Sequence, residues 1–470
     1  MINKEVALKY GVAPIYETDK EVVFWGYNLT QNTETSLSLI LNKKITLIEK
    51  TEDEVNLKIE EIYPSNVSSI DRIIEVFDKV ESKDNRNNEN ETNSVARLLE
   101  LIIENAVIQN CSDIHIDYLE NCVKIRFRKD GSLFEFKTIG KVLAKNIINR
   151  IKVLSDIDYT IKNTPQDGRF SYIHKNRDVD IRVAVIPTIF GEKVVLRILN
   201  KQHLDFTPSG IGLKNDNLDK VLKLISQPRG LILTVGATGS GKSSTNYTLL
   251  KLLNKKDINI MTIEDPVEYK IDGISQVEIN ENSGLDFNIG LRSLLRLDPD
   301  KIMVGEIRDI ETAKIALRSS ITGHLVLSTL HTNDSCEAIY RLLDMGIEPY
   351  LISAGVIGII AQRLVRKLCD CKKEVDMYVD LYDENMKVCI PCGCNKCVNG
   401  YSGRVAVFEV LILTETLREL ISKGASISEF RKEAKKEGLI TLKTSLKNLL
   451  LNGTISIEEV YNSIMTIGEI

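Results

Sequence analysis

The segment Gly236-Ala237-Thr238-Gly239-Ser240-Gly241-Lys242-Ser243 decides the reading of this chain. It follows an apolar run, LILTV at 231–235, and opens a stretch of helical spacing from Lys242. A strand that ends in a glycine-rich turn and enters a helix is the P-loop arrangement. The glycines let successive N–H groups face a phosphate chain, and the helix N-terminus adds partial positive charge. Lys242 is expected to reach the β- and γ-phosphates of ATP, and Ser243, with Ser244 beside it, to lie at the Mg²⁺. Every fixed position of the pattern is filled and both flanks are right, which sets it apart from a glycine-rich turn that binds nothing.

Outward from the loop, INIMTI at 258–263, KIMVGE at 301–306 and HLVLSTL at 324–330 read as strands separated by helical stretches. That alternation implies a parallel sheet covered by helices. Phosphoryl transfer to water needs a carboxylate to orient the nucleophile and arginines to take up developing charge. Ligands of open α/β sheets sit at the carboxyl ends of the strands. Two acidic clusters fall there: Glu264, Asp265 and Glu268 in one, Glu306 in the other. Any one of these acids alone would read as a solvated turn, but two clusters on successive strands after a P-loop point to catalysis. Glu264 is the preferred residue for polarising water, ahead of Glu268. Gly305 stands where the generic pattern has an aspartate, so Glu306 is the strand-end acid of the second cluster.

The whole chain has 470 residues, 43% hydrophobic, 27% charged, with a formal net charge of −5. This length suggests two to four domains. The charge lacks the basic footprint of a nucleic-acid binder, and the chain holds one Trp where a nucleic-acid channel would want stacking aromatics. No nucleic-acid partner is expected. The N-terminal MINKEVALKY lacks the apolar core of a signal peptide. The longest largely apolar run, 350–361, falls short of the ~20 residues that span a bilayer. A cytoplasmic protein with no membrane span is expected, recruited to a membrane only through partners.

Residues 1–80 read as a small α/β domain, with strands at VVFWGY and KITLIE and a helix over 68–80. Residues 81–94, ESKDNRNNENETNS, read as a flexible linker, because they hold no apolar residue. An α+β domain is expected over 95–203, opening with an amphipathic helix from Val95. A third domain is expected over 204–470, joined through a Gly/Pro hinge at TPSGIGL from Thr207 and mostly helical from Leu411. No internal repeat is visible. Six of the nine cysteines fall between Cys369 and Cys397, and such clustering in a cytosolic chain points to metal rather than disulfides.

Several motifs in one order resemble the secretion ATPase superfamily, specifically the ATPases of type IV pilus assembly and type II secretion. They are TIEDPVEY, LRSLLRLDPDKIMVGEIRD, TGHLVLSTLHTND, RLLDMGIEPYLI, AQRLVRKLC and GYSGRVAVFEVL. SDIHID, PQDGRF, VDIRVAVIPT and GEKVVLRIL in the preceding domain resemble that family's domain that swings over the nucleotide. Leu297 departs from the family pattern, which has a polar residue before Asp298. The resemblance implies a RecA-like P-loop ATPase domain, a preceding PAS-like α+β domain, and a homo-hexamer. It implies that Arg182 and Arg197 approach the γ-phosphate, with Arg169 a weaker candidate, and that His324 and His331 act as sensors of phosphate state.

The resemblance also implies structural Zn²⁺ held by two cysteine pairs in a module over 364–404. Cys394 and Cys397 match the second pair, and Cys369 and Cys371 stand for the first at a spacing one residue short. The alternative set replaces the first pair with Cys389 and Cys392. Residues 1–80 resemble only the later half of the family's N-terminal domain. The segment that binds cyclic di-GMP in some relatives is absent, so an inner-membrane platform protein is the expected partner instead. Presence of this domain and of the zinc module favours a motor that assembles a pilus by polymerising pilin. The alternatives are the pseudopilus motor of type II secretion and, further off, a nucleic-acid translocase.

Overall fold

The computed structural model describes residues 2–467 except 3, 18–20, 28, 30, 42, 53, 56–57, 59–69, 72, 75–76, 78–87, 175–176, 200–204, 281–282 and 395–396. The chain divides into two compact units, residues 1–200 and 201–470.

The first unit holds two cores. In the smaller, α1 (Lys4–Tyr10) and α2 (Gln31–Leu41) accompany a three-stranded sheet of β1 (Val12–Glu17), β2 (Glu21–Gly26) and β3 (Lys44–Glu49). Val22, Phe24, Leu37 and Ile45 are buried together there. In the larger, α3 (Asn88–Ile108) and α4 (Lys141–Leu154) accompany six strands. These are β4 (Asp113–Tyr118), β5 (Val123–Lys129), β6 (Ser132–Ile139), β7 (Gln166–His174), β8 (Arg177–Thr188) and β9 (Gly191–Leu199). They pair antiparallel in the order β6-β5-β4-β9-β8-β7. Strict alternation along β5 puts Val123, Ile125 and Phe127 in the core and Lys124, Arg126 and Arg128 on the outer face. That is the pattern of a sheet with one covered face.

Two expectations change here. The helix expected from Val95 begins at Asn88, so residues 88–94, read as linker, are helical. Polarity alone does not exclude a helix, and with no Gly or Pro nothing in their sequence stops one. Residues 81–87 of that linker lie outside the described residues. Of the helix expected over 68–80, the described residues 70, 71, 73, 74 and 77 are helical. Ile70 and Phe77 are buried in the same core as α3 and the six-stranded sheet, not in the smaller one. Lys137 on β6 donates to Asp71 at 2.6 Å, which reinforces that attachment.

The second unit is layered around a seven-stranded sheet. Its elements begin with α5 (Asn215–Ile225), β10 (Gly230–Val235), α6 (Lys242–Leu253), β11 (Ile260–Glu264) and β12 (Ser275–Glu278). They continue with α7 (Phe287–Leu294), β13 (Lys301–Val304), α8 (Ile310–Thr322), β14 (Leu325–Leu330), α9 (Ser335–Asp344) and α10 (Pro349–Gly355). Then come β15 (Val356–Leu368), a hairpin of β16 (Lys373–Val379) and β17 (Glu384–Ile390), and β18 (Tyr401–Ile412). The chain closes with α11 (Glu415–Ser422), α12 (Ile427–Lys436), α13 (Leu442–Leu451) and α14 (Ile457–Ile467).

Strand order is β12-β11-β13-β14-β10-β15-β18, all parallel except β18. Every residue of β10 is buried. Leu231, Leu233 and Val235 face one helical layer, and Ile232 faces the other. A strand covered on both faces reads as a continuous apolar run, which is why LILTV could be read as a central strand. β10 lies between β14 and β15, and the loop that follows Val235 emerges at the carboxyl edge of the sheet.

The C-terminal helices are tied to the sheet by buried polar contacts. Glu409 on β18 accepts from the Ser335 backbone N–H at 2.9 Å and from the Leu442 N–H at 2.9 Å, so it pins the starts of α9 and α13. Arg366 on β15 donates through Nε to Glu459 of α14 at 2.8 Å.

Candidate active site

Glycine is required where the P-loop leaves β10. Gly236 and Gly241 have φ of +152° and +91°. A Cβ at Gly236 would lie 2.4 Å from the Gln362 carbonyl oxygen, and one at Gly241 would lie 2.8 Å from Gln362 Nε2. β15 therefore forms the floor of the loop, fastened by a 2.5 Å bond from Thr245 Oγ1 to Gln362 Oε1. No side chain caps the N-terminus of α6, which leaves its first N–H groups to the loop's concavity.

Thr238, Gly239, Gly241, Lys242, Ser243 and Ser244 line a cavity of about 550 Å³, with Glu264, Glu306 and His331 across from them. Gly236 and Ala237 line a second cavity of about 450 Å³ on the other side, which also reaches His331. Ser240 is buried within the loop itself. Lys242 donates to the Gly236 and Ala237 carbonyls at 2.8 and 3.1 Å. Burial pushes its ammonium down to about 8; Glu306 opposes this, and the nearby Arg363 adds to it.

The two acids have different surroundings. Glu264, 5% exposed, accepts from Thr262 Oγ1 at 2.7 Å and Gln276 Nε2 at 3.0 Å on one oxygen, and from the Tyr247 hydroxyl on the other. Tyr247 lies on α6 and accepts from the Glu268 and Tyr269 N–H groups at 3.2 and 3.4 Å. Burial and the bond to Glu264 hold its phenol above its ordinary value. Glu306 meets Arg308, whose other terminal nitrogen lies 3.5 Å from Asp265, and His331 Nε2 lies 3.7 Å away. Burial and the charges of Lys242 and Arg308 keep the His331 imidazole below its ordinary pKa, so it is neutral near pH 7.

His324 is placed elsewhere. It precedes β14, where its ring Nδ1 lies 3.1 Å from the Ser319 carbonyl at the end of α8 and its own carbonyl accepts from Gly230. A six-residue strand separates it from His331, roughly 20 Å at strand rise. His324 thus lies at the amino end of β14, the opposite end of the strand from His331 and the P-loop edge. Arg182 and Arg197 belong to the first unit, directly opposite one another on β8 and β9. Arg197 Nε donates to Asp113 at 3.0 Å, and Arg169 is the register partner of Arg182.

The sequence reading missed Tyr247, Gln276 and Arg308 around the acids, Arg363 behind the loop, and Arg404, which lines the cavity of about 550 Å³. Arg308 alone carried a local signal, two residues beyond Glu306 at the same strand end.

The sulfurs of Cys369, Cys371, Cys394 and Cys397 lie within 4.8 Å of one another. The Cys369–Cys394, Cys371–Cys397 and Cys394–Cys397 separations are 3.8, 3.9 and 3.7 Å. A tetrahedron with ~2.3 Å Zn–S bonds has an edge of about 3.8 Å, so the four thiolates fit that ion. Cys389 is buried against Gly453, and Cys392 is exposed. The cluster stands where β15 and β18 leave the main sheet, and the β16–β17 hairpin, absent from the sequence reading, fills the interval between its two halves. Among the described residues no helix is long and apolar enough to cross a membrane.

A P-loop at the end of a buried parallel strand, facing acids at the ends of the next two, is the arrangement of a P-loop ATPase. Comparison with known proteins gives its family. The family described as Type II/IV secretion system protein matches residues 88–462, and this chain belongs to it. The chain is 37% identical over 482 aligned positions to the type IV pilus assembly ATPase PilB of Myxococcus xanthus, covering 98% of this chain and 85% of that one. It is 39% identical over 413 positions to the type II secretion system ATPase E of Vibrio cholerae, covering 82% and 81%. Among solved structures, the pilus retraction motor PilT with bound ADP matches with a TM-score of 0.54 at 29% identity, over 78% of this chain and 96% of that one. The Legionella pneumophila ATPase DotB shares the fold, with a TM-score of 0.61 at 22% identity over 78% and 95%. The chain is thus an ATPase of the secretion and pilus motors.

A P-loop lysine can pair with phosphate only while protonated. In free enzyme that form is lost as pH rises through about 8. The expected result is an alkaline limb near pH 8 in kcat/KM for ATP, which reports the free enzyme, and a limb displaced upward in kcat, because bound phosphate favours the ammonium. Initial rates over a pH series check this; a kcat/KM profile flat well past that value would refute it.

Proposed function

We propose that this chain is the hexameric motor of type IV pilus assembly, hydrolysing ATP·Mg²⁺ to drive pilin polymerisation through an inner-membrane platform protein. The supporting observation is the reach of the likeness. The match to the Myxococcus PilB extends over 98% of this chain, while the type II secretion relative from Vibrio covers 82%. The likeness to pilus assembly motors thus takes in more of the chain. The pseudopilus motor of type II secretion is the second reading, supported by the slightly higher identity over the shared part. The first unit is read as a docking region at 1–80 followed by the PAS-like domain, and the second as the RecA-like motor domain.

In this reading the P-loop and α6 hold the phosphates, and Ser243 is a ligand of Mg²⁺. Glu306 and Glu264 are the catalytic carboxylates. Arg182 and Arg197 supply positive charge to the transferring phosphoryl group, and His331 reports phosphate state to its neighbours. Mg²⁺ would neutralise charge between the β- and γ-phosphates. Cys369, Cys371, Cys394 and Cys397 hold structural Zn²⁺, which takes no part in hydrolysis. The motor is cytoplasmic and reaches the membrane through its partner.

Three tests follow from these assignments. Purified Glu306→Gln should bind ATP within about threefold of the parent but turn it over at least ~10²-fold more slowly, as expected when transition-state charge is removed. As a chromosomal allele it should abolish surface pili and leave protein secretion intact. Loss of secretion with normal pili would assign the chain to type II secretion instead, and near-normal hydrolysis would remove Glu306 from the site. Specific ATPase activity should rise with protein concentration in step with hexamer formation measured by light scattering; full activity in a dilute monomer would refute the ring. Elemental analysis should find about one zinc per chain, lost in a Cys394→Ser/Cys397→Ser double variant and kept in Cys389→Ser/Cys392→Ser. Loss in the second variant would move the site to the alternative ligands.

A further inference from the structure

Arg363 has no part in the P-loop pattern, yet it is 6% exposed and sits directly behind the phosphate site. It follows Gln362, the residue that floors the loop. Ala361, two residues earlier, pairs with Val235, the last residue of β10. The guanidinium does not bond to β10 or to the loop. Its Nη2 donates to the main-chain carbonyl and to Oδ1 of Asn333, both at 3.1 Å. Asn333 belongs to the turn after β14, which flanks β10 on the other side. The side chain therefore crosses from one neighbour of the P-loop strand to the other.

That turn begins at His331, which lies 3.7 Å from Glu306. Its position is fixed from beyond as well. The Asn333 N–H donates to Glu337 on α9 at 2.9 Å, and Asp334 caps α9 while pairing with Arg431. From the P-loop side, Arg363 alone among the described bonds restrains Asn333.

We propose that Arg363 is a positioning residue for ATP hydrolysis: it locks the turn at 331–335 to the base of the P-loop so that His331 stays set against Glu306. A planar fork suits this task because one nitrogen holds two acceptors and the charge is permanent. A second consequence is electrostatic. The charged groups that act on the buried Lys242 ammonium are Glu306 at the end of β13 and Arg363 on β15. Arg363 is the one permanent cation among them, and it works against a second positive charge at Lys242.

The inference rests on the chain's ATPase chemistry and not on the choice between pilus and secretion. Arg363→Gln, Arg363→Lys and Asn333→Ala are compared with the parent in full-length hexameric protein. ATP affinity is read with a fluorescent ATP analogue and turnover by phosphate release. Arg363→Gln should lower kcat by ~10–10²-fold, the usual scale for a misplaced catalytic group, while affinity changes by less than about threefold. It should also move the alkaline limb of kcat/KM to higher pH, because a cation near Lys242 is gone. Arg363→Lys keeps the charge but not the fork, so kcat should fall and the limb stay. Asn333→Ala should lower kcat less, again with the limb unmoved. A general loosening of the fold would not separate charge from fork in this way.

Turnover within twofold of the parent in Arg363→Gln overturns the proposal, as does loss of ATP affinity in step with kcat. Should that variant fail to fold, Arg363→Lys decides alone: a kcat matching the parent overturns the proposal, and a lowered kcat with an unmoved limb upholds it.

Discussion

β15 passes beneath the P-loop so closely that two residues of the loop cannot carry a side chain. The Gln362 carbonyl and side chain occupy the space that a Cβ at Gly236 or Gly241 would need. The backbone can then curl into left-handed conformations that present its N–H groups to one point, as an anion site requires. The same strand continues beyond the sheet. It carries Arg366, which holds Glu459 of the last helix, and it ends beside Cys369, the first member of the thiol cluster. One strand thus supports the P-loop, the C-terminal helices and the thiol cluster. A shift of β15 along its axis would disturb all three together, because close-packed interiors transmit small displacements.

How much of this the sequence discloses depends on whether a feature is written in consecutive residues. The P-loop is legible because strand, glycines and helix start form one unbroken run. The central strands are legible because burial on both faces leaves uninterrupted apolar stretches. The thiol cluster is legible because its cysteines pair locally, but Cys389/Cys392 pair as Cys369/Cys371 and Cys394/Cys397 do, so spacing alone does not choose the four that meet. Tyr247 and Gln276 are not, because they reach Glu264 from helix α6 and strand β12, and neither residue type in those positions announces a partner. The β16–β17 hairpin has the alternation of a strand pair, with Val375 opposite Val388 and Met377 opposite Met386, but cysteines at its margins draw attention to metal spacing instead. The start of α3 is hidden for another reason: a polar run without Gly or Pro is compatible with both a linker and a solvated helical turn.

The two histidines show what a motif leaves out. Both flank LVLSTL, and a motif read along the chain treats them as equivalent. A parallel strand has a distinguished end, and ligands collect at its carboxyl edge. His331 follows β14 and lies there, while His324 precedes β14 and closes the end of α8. Spacing in sequence fixes which residues share a strand, but strand direction fixes which of them can meet the phosphate.

The two glutamates divide in a way that only their hydrogen bonds reveal. A carboxylate has about four lone-pair sites, and each donor it accepts restrains its orientation. Glu264 has both oxygens engaged, by Thr262 and Gln276 on one side and the Tyr247 hydroxyl on the other. Because Tyr247 also accepts from the N–H groups of Glu268 and Tyr269, the bond holds the acidic turn after β11 to α6, the helix that begins in the P-loop. Glu264 is thereby held in one orientation at the carboxyl end of β11. Glu306 is less buried and meets groups of a different kind, the long Arg308 side chain and the neutral His331. Its setting therefore depends on the turn after β14, which carries His331, whereas that of Glu264 depends on α6 and β12.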